Sequence, residues 1–343
     1  MGPVAPLTPL PEQVLHDAAA WDALQAAQRP VVLRGLVPDW PLVRCARVSP
    51  EAVCAALMRY DNGQPVDAVM VPPESGGRIG YGGGASGFNY LRNRVPVSAV
   101  LEQIARYSRF DVAPAVAVQS AVIDECLPGF AQAHPVPWVA PGTVARIWIG
   151  NGVVTPAHVD ESSNLACVAA GRRRFTLFPP DAAANLYLGP VDHTPTGSPI
   201  SLIDTRNPDL ARHPRYRKAL EVAAFAELAP GDAIYIPPLW WHQVESLEAL
   251  NVLVNCWWRR PGALAGGSPF DALLHALLAL KGAGAAERAA WRALFDHLVF
   301  HEGADPAAHL PAEWQGVLGQ PSPALEQDIR DWLVRRLGQK EAT

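Results

Sequence analysis

Nine short runs rich in β-branched and aromatic residues set the narrowest limit on what this chain can become. They are Val31–Leu33, Asp67–Val71, Ala115–Ser120, Ala145–Ile149, Leu165–Ala169, Arg174–Phe178, Ala233–Ile236, Gln243–Ser246 and Asn251–Trp258. Turn residues separate them, drawn from 34 prolines and 27 glycines. Such spacing predicts many short strands joined by turns. Three helices carry start signals ahead of or among these runs: one around Asp17 to Gln28, one with Ser49 as N-cap and Pro50 at its first position, and one from Ser98. After Pro261 the texture changes to stripes spaced by three and four: Leu273, Leu274, Leu277 and Leu278, then Trp291, Leu294, Phe295 and Leu298, then Leu325, Ile329, Trp332 and Leu333. We therefore expect a β-rich domain over residues 1–262 and a helical region over 263–343. The Pro261-Gly262 junction is too short for a flexible linker, so the tail is expected to pack on the body.

Composition excludes several classes. Lys and Arg number 28 against 33 Asp and Glu, a net charge of −5, which disfavours a nucleic-acid partner. No apolar run is long enough for a bilayer span, and Met1-Gly-Pro-Val-Ala-Pro-Leu7 lacks a basic flank and apolar stretch. The expectation is a cytoplasmic protein with no membrane partner. The five cysteines, Cys45, Cys54, Cys126, Cys167 and Cys256, form no C-x-x-C pair and read as reduced thiols.

The chemistry concentrates in Thr155-Pro-Ala-His158-Val-Asp160-Glu-Ser-Ser-Asn164. Alternate side chains of an extended strand share a face, so His158 and Asp160 can offer an imidazole and a carboxylate to one cation. H-x-D alone is a weak signal. A third ligand comes from His242, just past the predicted strand in Gly231-Asp-Ala-Ile-Tyr-Ile-Pro-Pro-Leu-Trp-Trp-His242. Two His and one Asp leave positions open on an octahedral ion, the arrangement of non-heme Fe(II) oxygenases, whereas structural zinc is closed by four ligands. In Gly171-Arg-Arg-Arg-Phe-Thr-Leu-Phe178, a period of two places Arg173 inward with Phe175 and Leu177 and sends Arg172 and Arg174 outward. A buried guanidinium needs an anion, and a dicarboxylate bound to the metal at one end would supply it. Asn251, Leu253, Asn255 and Trp257 share one strand face; Asn255 and Asn164 are candidate donors to such a carboxylate. The glycine-rich Gly76–Gly84 stretch lacks the strand-then-helix context of a phosphate loop and reads as a mobile loop. Tyr81 and Phe88 are candidates for the entrance, and Glu161 reads as a surface or supporting carboxylate.

Several motifs then agree together: Val154–Asn164 (V-T-P-A-H-x-D-E-x-x-N), Phe178-Pro-Pro180, Gly231–His242, Val244-Glu-Ser-Leu247 and Val254-Asn-Cys-Trp257. At these residues the chain resembles the cupin-like JmjC branch of the Fe(II)/2-oxoglutarate oxygenases, most closely the family of the asparaginyl hydroxylase called factor inhibiting HIF. The resemblance implies a mainly β fold with flanking helices, a double-stranded β-helix or jelly roll, with a C-terminal helical bundle. It implies His158, Asp160 and His242 as catalytic iron ligands, and Thr155, Asn164, Arg173 and Asn255 at the 2-oxoglutarate positions. The implied reaction consumes dioxygen and 2-oxoglutarate, releases succinate and carbon dioxide, and hydroxylates a C–H bond. Three departures stand out. Arg173 falls where the hydroxylase has a lysine, Ala117 where it has a tyrosine beside that anchor, and Gly197-Ser198 where it reads its target asparagine. A protein or peptide substrate and a homodimer through the helical tail are expected. A small-molecule substrate, N-demethylation at the same site, a metal cupin without cosubstrate and a non-catalytic binding module are the alternatives.

Overall fold

The computed structural model describes residues 7–82, 87–259, 268–301, 303 and 305–338. Its β-rich unit ends at Arg259, and a second unit begins at Arg260. The Pro261-Gly262 junction lies outside the described residues.

Eight successive strands build the centre of the first unit. After β1 (Thr8–Pro9), β2 (Glu12–Gln13), β3 (Val31–Leu33), β4 (Val66–Val71), β5 (Leu91–Val95) and β6 (Ala115–Val122) come β7 (Ala145–Gly150), β8 (Val154–His158), β9 (Ser163–Ala170) and β10 (Arg173–Phe178). Then follow β11 (Ala224–Leu228), β12 (Ala233–Ile236), β13 (Trp241–Ser246) and β14 (Asn251–Trp258). Strands β7 to β14 divide between two sheets, β12-β9-β14-β7 in one and β11-β10-β13-β8 in the other, with only β10 and β11 consecutive in one sheet. All pairings within these two sets are antiparallel. That is the jelly-roll topology of a cupin. The first sheet is extended by β6, β4 and β5 on one side and by β3 and β2 on the other.

Burial explains why β9 reads as an unbroken small-apolar run from Leu165 onward. All eight of its residues are buried. Ala166 and Val168 face the barrel interior with Phe175, Leu177, Ile234, Ile236 and Leu253, while Leu165, Cys167 and Ala169 join the core beneath the helices. A strand covered on both faces has no place for polar alternation. The covering helices are α1 (Ala18–Ala27), α2 (Pro41–Ala46), α3 (Pro50–Met58) and α4 (Val97–Tyr107), followed by the short α5 (Ile123–Cys126) and α6 (Phe130–Ala133). Asp17 caps α1 by accepting from Ala20 N at 2.8 Å, and Ser49 caps α3 through Ala52 N at 3.2 Å. The third helix starts one residue earlier than its expected Ser98, because a distant carboxylate, Asp61 Oδ2, accepts from Ser98 N at 2.7 Å and does the capping. One further helix of this unit is α7 (Tyr216–Glu221).

The expected mobile loop at Gly76–Gly84 is pinned over its described part. Gly76 O accepts from Arg206 Nη1, Ile79 N donates to Val154 O, Val154 N donates to Gly77 O, and Ile79 is buried. Gly77, at φ +75°, passes so close to Gly152 that a Cβ would collide with its carbonyl. Gly83 and Gly84 lie outside the described residues. Cys126, Cys167 and Cys256 are buried, Cys45 and Cys54 half-buried, and all are free thiols; burial pushes Cys126 up to about 11.

In the second unit α8 (Pro269–Leu280), α9 (Ala285–Leu298) and α10 (Pro323–Gly338) follow the predicted stripes, yet none buries a side chain. No described helix is long and apolar enough to cross a membrane.

Candidate metal centre and cosubstrate pocket

Antiparallel pairing of β8 with β13 sets His158 directly opposite His242, although 84 positions separate them in sequence (242 − 158). Their rings lie 4.2 Å apart between centroids. Each Nδ1 sits 2.9 Å from the carbonyl oxygen two residues before it, Pro156 O for His158 and Trp240 O for His242. A carbonyl can only accept, so this contact assigns the proton to Nδ1 in both rings and leaves each Nε2 lone pair for a metal. Burial, then the neighbouring His242, holds the His158 imidazole well below its ordinary range, which favours the neutral ligand form. Asp160, two residues beyond β8, brings its Oδ2 to 3.6 Å from His242 Nε2. One nitrogen from each histidine and one carboxylate oxygen all fall within 4.8 Å of one another. This donor set fits a divalent transition metal with open positions better than a closed structural site.

The three residues open into a cavity of about 160 Å³ that Thr155, Asn164, Arg173 and Asn255 also line. All seven residues singled out in the sequence therefore share one space. Arg173 is 8% exposed, while Arg172 pairs outward with Glu248 at 2.7 Å and Arg174 lies over the Phe225 ring. Arg173 Nε has no hydrogen-bond partner, and among the described residues no carboxylate pairs with this guanidinium. Burial lowers its pKa to about 10, which leaves it charged at neutral pH. A buried, unpaired cation is costly, and an anion entering the cavity would relieve that cost.

The two asparagines are less free than the sequence suggests. Trp148 Nε1 donates to Asn255 Oδ1 at 3.0 Å, Asn255 Nδ2 to Asn164 Oδ1 at 3.2 Å, and Asn164 Nδ2 to Asp160 Oδ2 at 3.3 Å. They form a relay that ends on Asp160. Trp257 Nε1 donates to the same Asp160 oxygen at 3.0 Å. Asn251, on their face by simple alternation, lies four residues before Asn255 on β14 and outside the cavity, where Asn251 Nδ2 donates to Glu248 O.

Register and loop contacts place the remaining residues. Ala117 is buried among Val69, Val71 and Ile79 rather than in the cavity; Gln119 and Ser120, further along β6, form that wall. Thr196, beside Gly197, reaches the cavity, and Ser198 only accepts from Thr196 Oγ1 through its carbonyl. Tyr81 and Phe88 do not line the cavity. They gather around His193, with Phe88 stacked on its ring at 4.5 Å, and Tyr81 Oη donates to His193 O, so they hold the loop that carries Thr196. Trp240 packs against the barrel core and Trp241 is buried, and neither touches the cavity. Glu161 pairs with Arg259 at 2.9 Å.

A family model described as a cupin-like domain matches residues 17–263. The chain belongs to the cupin-like domain family. Its relatives include proteins named for a JmjC domain. HSPB1-associated protein 1 of Homo sapiens is 39% identical over 118 residues, 34% of this chain and 24% of that protein. Lysine-specific demethylase JMJ31 of Arabidopsis thaliana is 40% identical over 102 residues, 30% of this chain and 18% of its own length. Jumonji C domain-containing protein 5 of Drosophila melanogaster is 32% identical over 160 residues, 46% of this cupin-like chain and 37% of that relative. The chain thus spans about a quarter of the length of the first of these relatives.

Proposed function

We propose that this cupin-like protein is an Fe(II)- and 2-oxoglutarate-dependent oxygenase that hydroxylates a side chain of a protein or peptide. The observation that carries the reading is one cavity holding both a His-Asp-His donor set and an unpaired buried arginine. His158, Asp160 and His242 would hold the metal, with Nδ1 of each histidine fixed on a backbone carbonyl. Arg173 neutralises the distal carboxylate of the cosubstrate by charge-assisted hydrogen bonds, and Thr155 lies on the same wall. Asn164 and Asn255 orient Asp160 through their relay and would offer amide groups to a cosubstrate carboxylate in the cavity they line. The apolar walls, Ala166, Phe175, Val244 and Leu253, limit water around the reacting centre. Fe(II) with 2-oxoglutarate and dioxygen supplies, when bound, oxidative attack on a C–H bond with succinate and carbon dioxide as co-products.

The relatives named HSPB1-associated protein 1 and lysine-specific demethylase JMJ31 support a polypeptide substrate. Hydroxylation of an N-methyl group would release formaldehyde, so hydroxylase and demethylase outcomes share this site. The test is incubation with Fe(II), 2-oxoglutarate and ascorbate under air. Succinate formation that requires both metal and cosubstrate is expected, with mass spectrometry of candidate peptides showing one added oxygen or loss of a methyl group. No succinate above a metal-free control would reject the reading.

A further inference from the structure

Past the Ala68–Val118 pair, strands β4 and β6 part. A polar cleft of about 510 Å³ opens between them, and Asn62, Gln64, Arg94, Arg146, Gln119 and Ser120 contribute to it. Gln119 and Ser120 also line the metal cavity, so the two spaces share a wall. That wall is a built feature. The β6–β7 ladder shifts register between Val118 and Ala121, and Ser120 adopts φ +50°, a left-handed conformation that a serine rarely takes. Arg146 Nη1 holds it there by donating to Ser120 O at 2.8 Å. Bulges beside active sites re-aim side chains, and a strained residue persists when its surroundings fix it. The half-buried Gln119 carboxamide has no hydrogen-bond partner among the described residues, which leaves donors and an acceptor at the junction of the two spaces.

The charges in the cleft favour an anion. Arg94 and Arg146 each donate to a backbone carbonyl, Pro65 O and Ser120 O, and neither has a carboxylate partner among the described residues. Of the two lining carboxylates, Asp67 is paired with Arg92 at 2.9 Å and Glu125 has no ion-pair partner among the described residues. Two guanidiniums thus face one uncompensated carboxylate. The neighbouring β5 is the last strand of its sheet and has four exposed residues, Leu91 to Arg94, so its outer backbone groups are open to an extended chain.

We infer that the cleft is a substrate subsite for a carboxylate-bearing polypeptide segment, and that Gln119 selects the side chain that passes from it to the metal cavity. This rests on the oxygenase reading, but its binding half can be tested without turnover. Fluorescein-labelled twelve-residue peptides of alternating Glu and Ser, matched Lys-Ser peptides and free glutarate serve as probes. Fluorescence anisotropy is read on the full chain with and without Mn(II) and 2-oxoglutarate. The Glu-Ser peptide should bind and the Lys-Ser peptide should not. Arg94→Glu should weaken the Glu-Ser peptide at least about tenfold, the loss of one charge-assisted contact, whereas Arg94→Lys should stay within about threefold. Unchanged binding in Arg94→Glu, or an equal loss in Arg94→Lys, overturns the cleft assignment. Displacement of the peptide by glutarate at equal concentration would reassign the cleft to a small dicarboxylate and overturn the polypeptide. For Gln119, Glu-flanked peptides with each residue type at the centre are incubated with the Fe(II) enzyme. A product distribution in Gln119→Leu that differs from the parent supports its selecting role, and an identical one refutes it. Absence of Mn(II) binding would count against the oxygenase reading, while peptide binding would still decide the cleft.

Discussion

The barrel and the C-terminal helices use the same kinds of apolar residue in opposite ways. Strand β9 is buried at every position, whereas α8, α9 and α10 bury no side chain and expose Leu278, Trp291 and Trp332. In the barrel, two sheets of one chain cover each other, so a polar group left inside demands a partner: Asn255 finds Trp148 and Asn164, whereas Arg173 Nε finds none among the described residues. In the helices the demand is reversed. Their apolar stripes ask for cover, and the expected cover is a second copy of the chain.

Stability should separate the two regions most sharply. Leu165→Ala in β9 removes a fully buried side chain and is expected to cost about 2–5 kcal/mol in denaturant unfolding, while Leu278→Ala on α8 should cost no more than about 0.5 kcal/mol. Equal losses would erase the contrast. Next comes the buried cation: Arg173→Ala should raise the apparent KM for 2-oxoglutarate about 10- to 150-fold, as loss of a charge-assisted contact requires. Arg172→Ala, whose partner Glu248 lies outside, should change it little; similar effects in both would mean the inward parity does not serve the cosubstrate. Trp257→Phe keeps an aromatic ring but deletes the N–H held by Asp160, and should weaken Co(II) binding about 10-fold or more in an isothermal titration. Unaltered affinity would make the indole contact passive. The smallest effect on the barrel is expected from the tail. Light scattering should report a dimer that Trp291→Asp with Trp332→Asp converts to a monomer, with Co(II) affinity unchanged; a monomeric parent would remove the dimer.

How much was legible in the sequence follows from the same contrast. Strands covered on both faces, such as β9 and β14, announce themselves as apolar runs. The edge strand β5, Leu91-Arg-Asn-Arg-Val, is polar because its faces are open, and it passes for a loop. Strand β11 (Ala-Phe-Ala-Glu-Leu) carries too few β-branched residues to stand out, and α2 is a short turn opened by Pro41. The site was readable where chemistry and alternation coincide, at His158, Asp160 and Arg173. Gln119, Ser120 and Thr196 were not, because a bulge and a loop bring them in and no local pattern encodes either. Likewise, alternation put Asn251 on the face of Asn255, and distance along β14 takes it out of the cavity.

Succinate formation and oxygen uptake with Fe(II) and 2-oxoglutarate, measured on the parent protein beside His158→Ala and Asp160→Ala, test the metal centre itself. The expected result is metal-dependent succinate from the parent and none above background from either variant, with far-ultraviolet circular dichroism unchanged because the barrel core is intact. Turnover retained in both variants would contradict a His158, Asp160 and His242 centre.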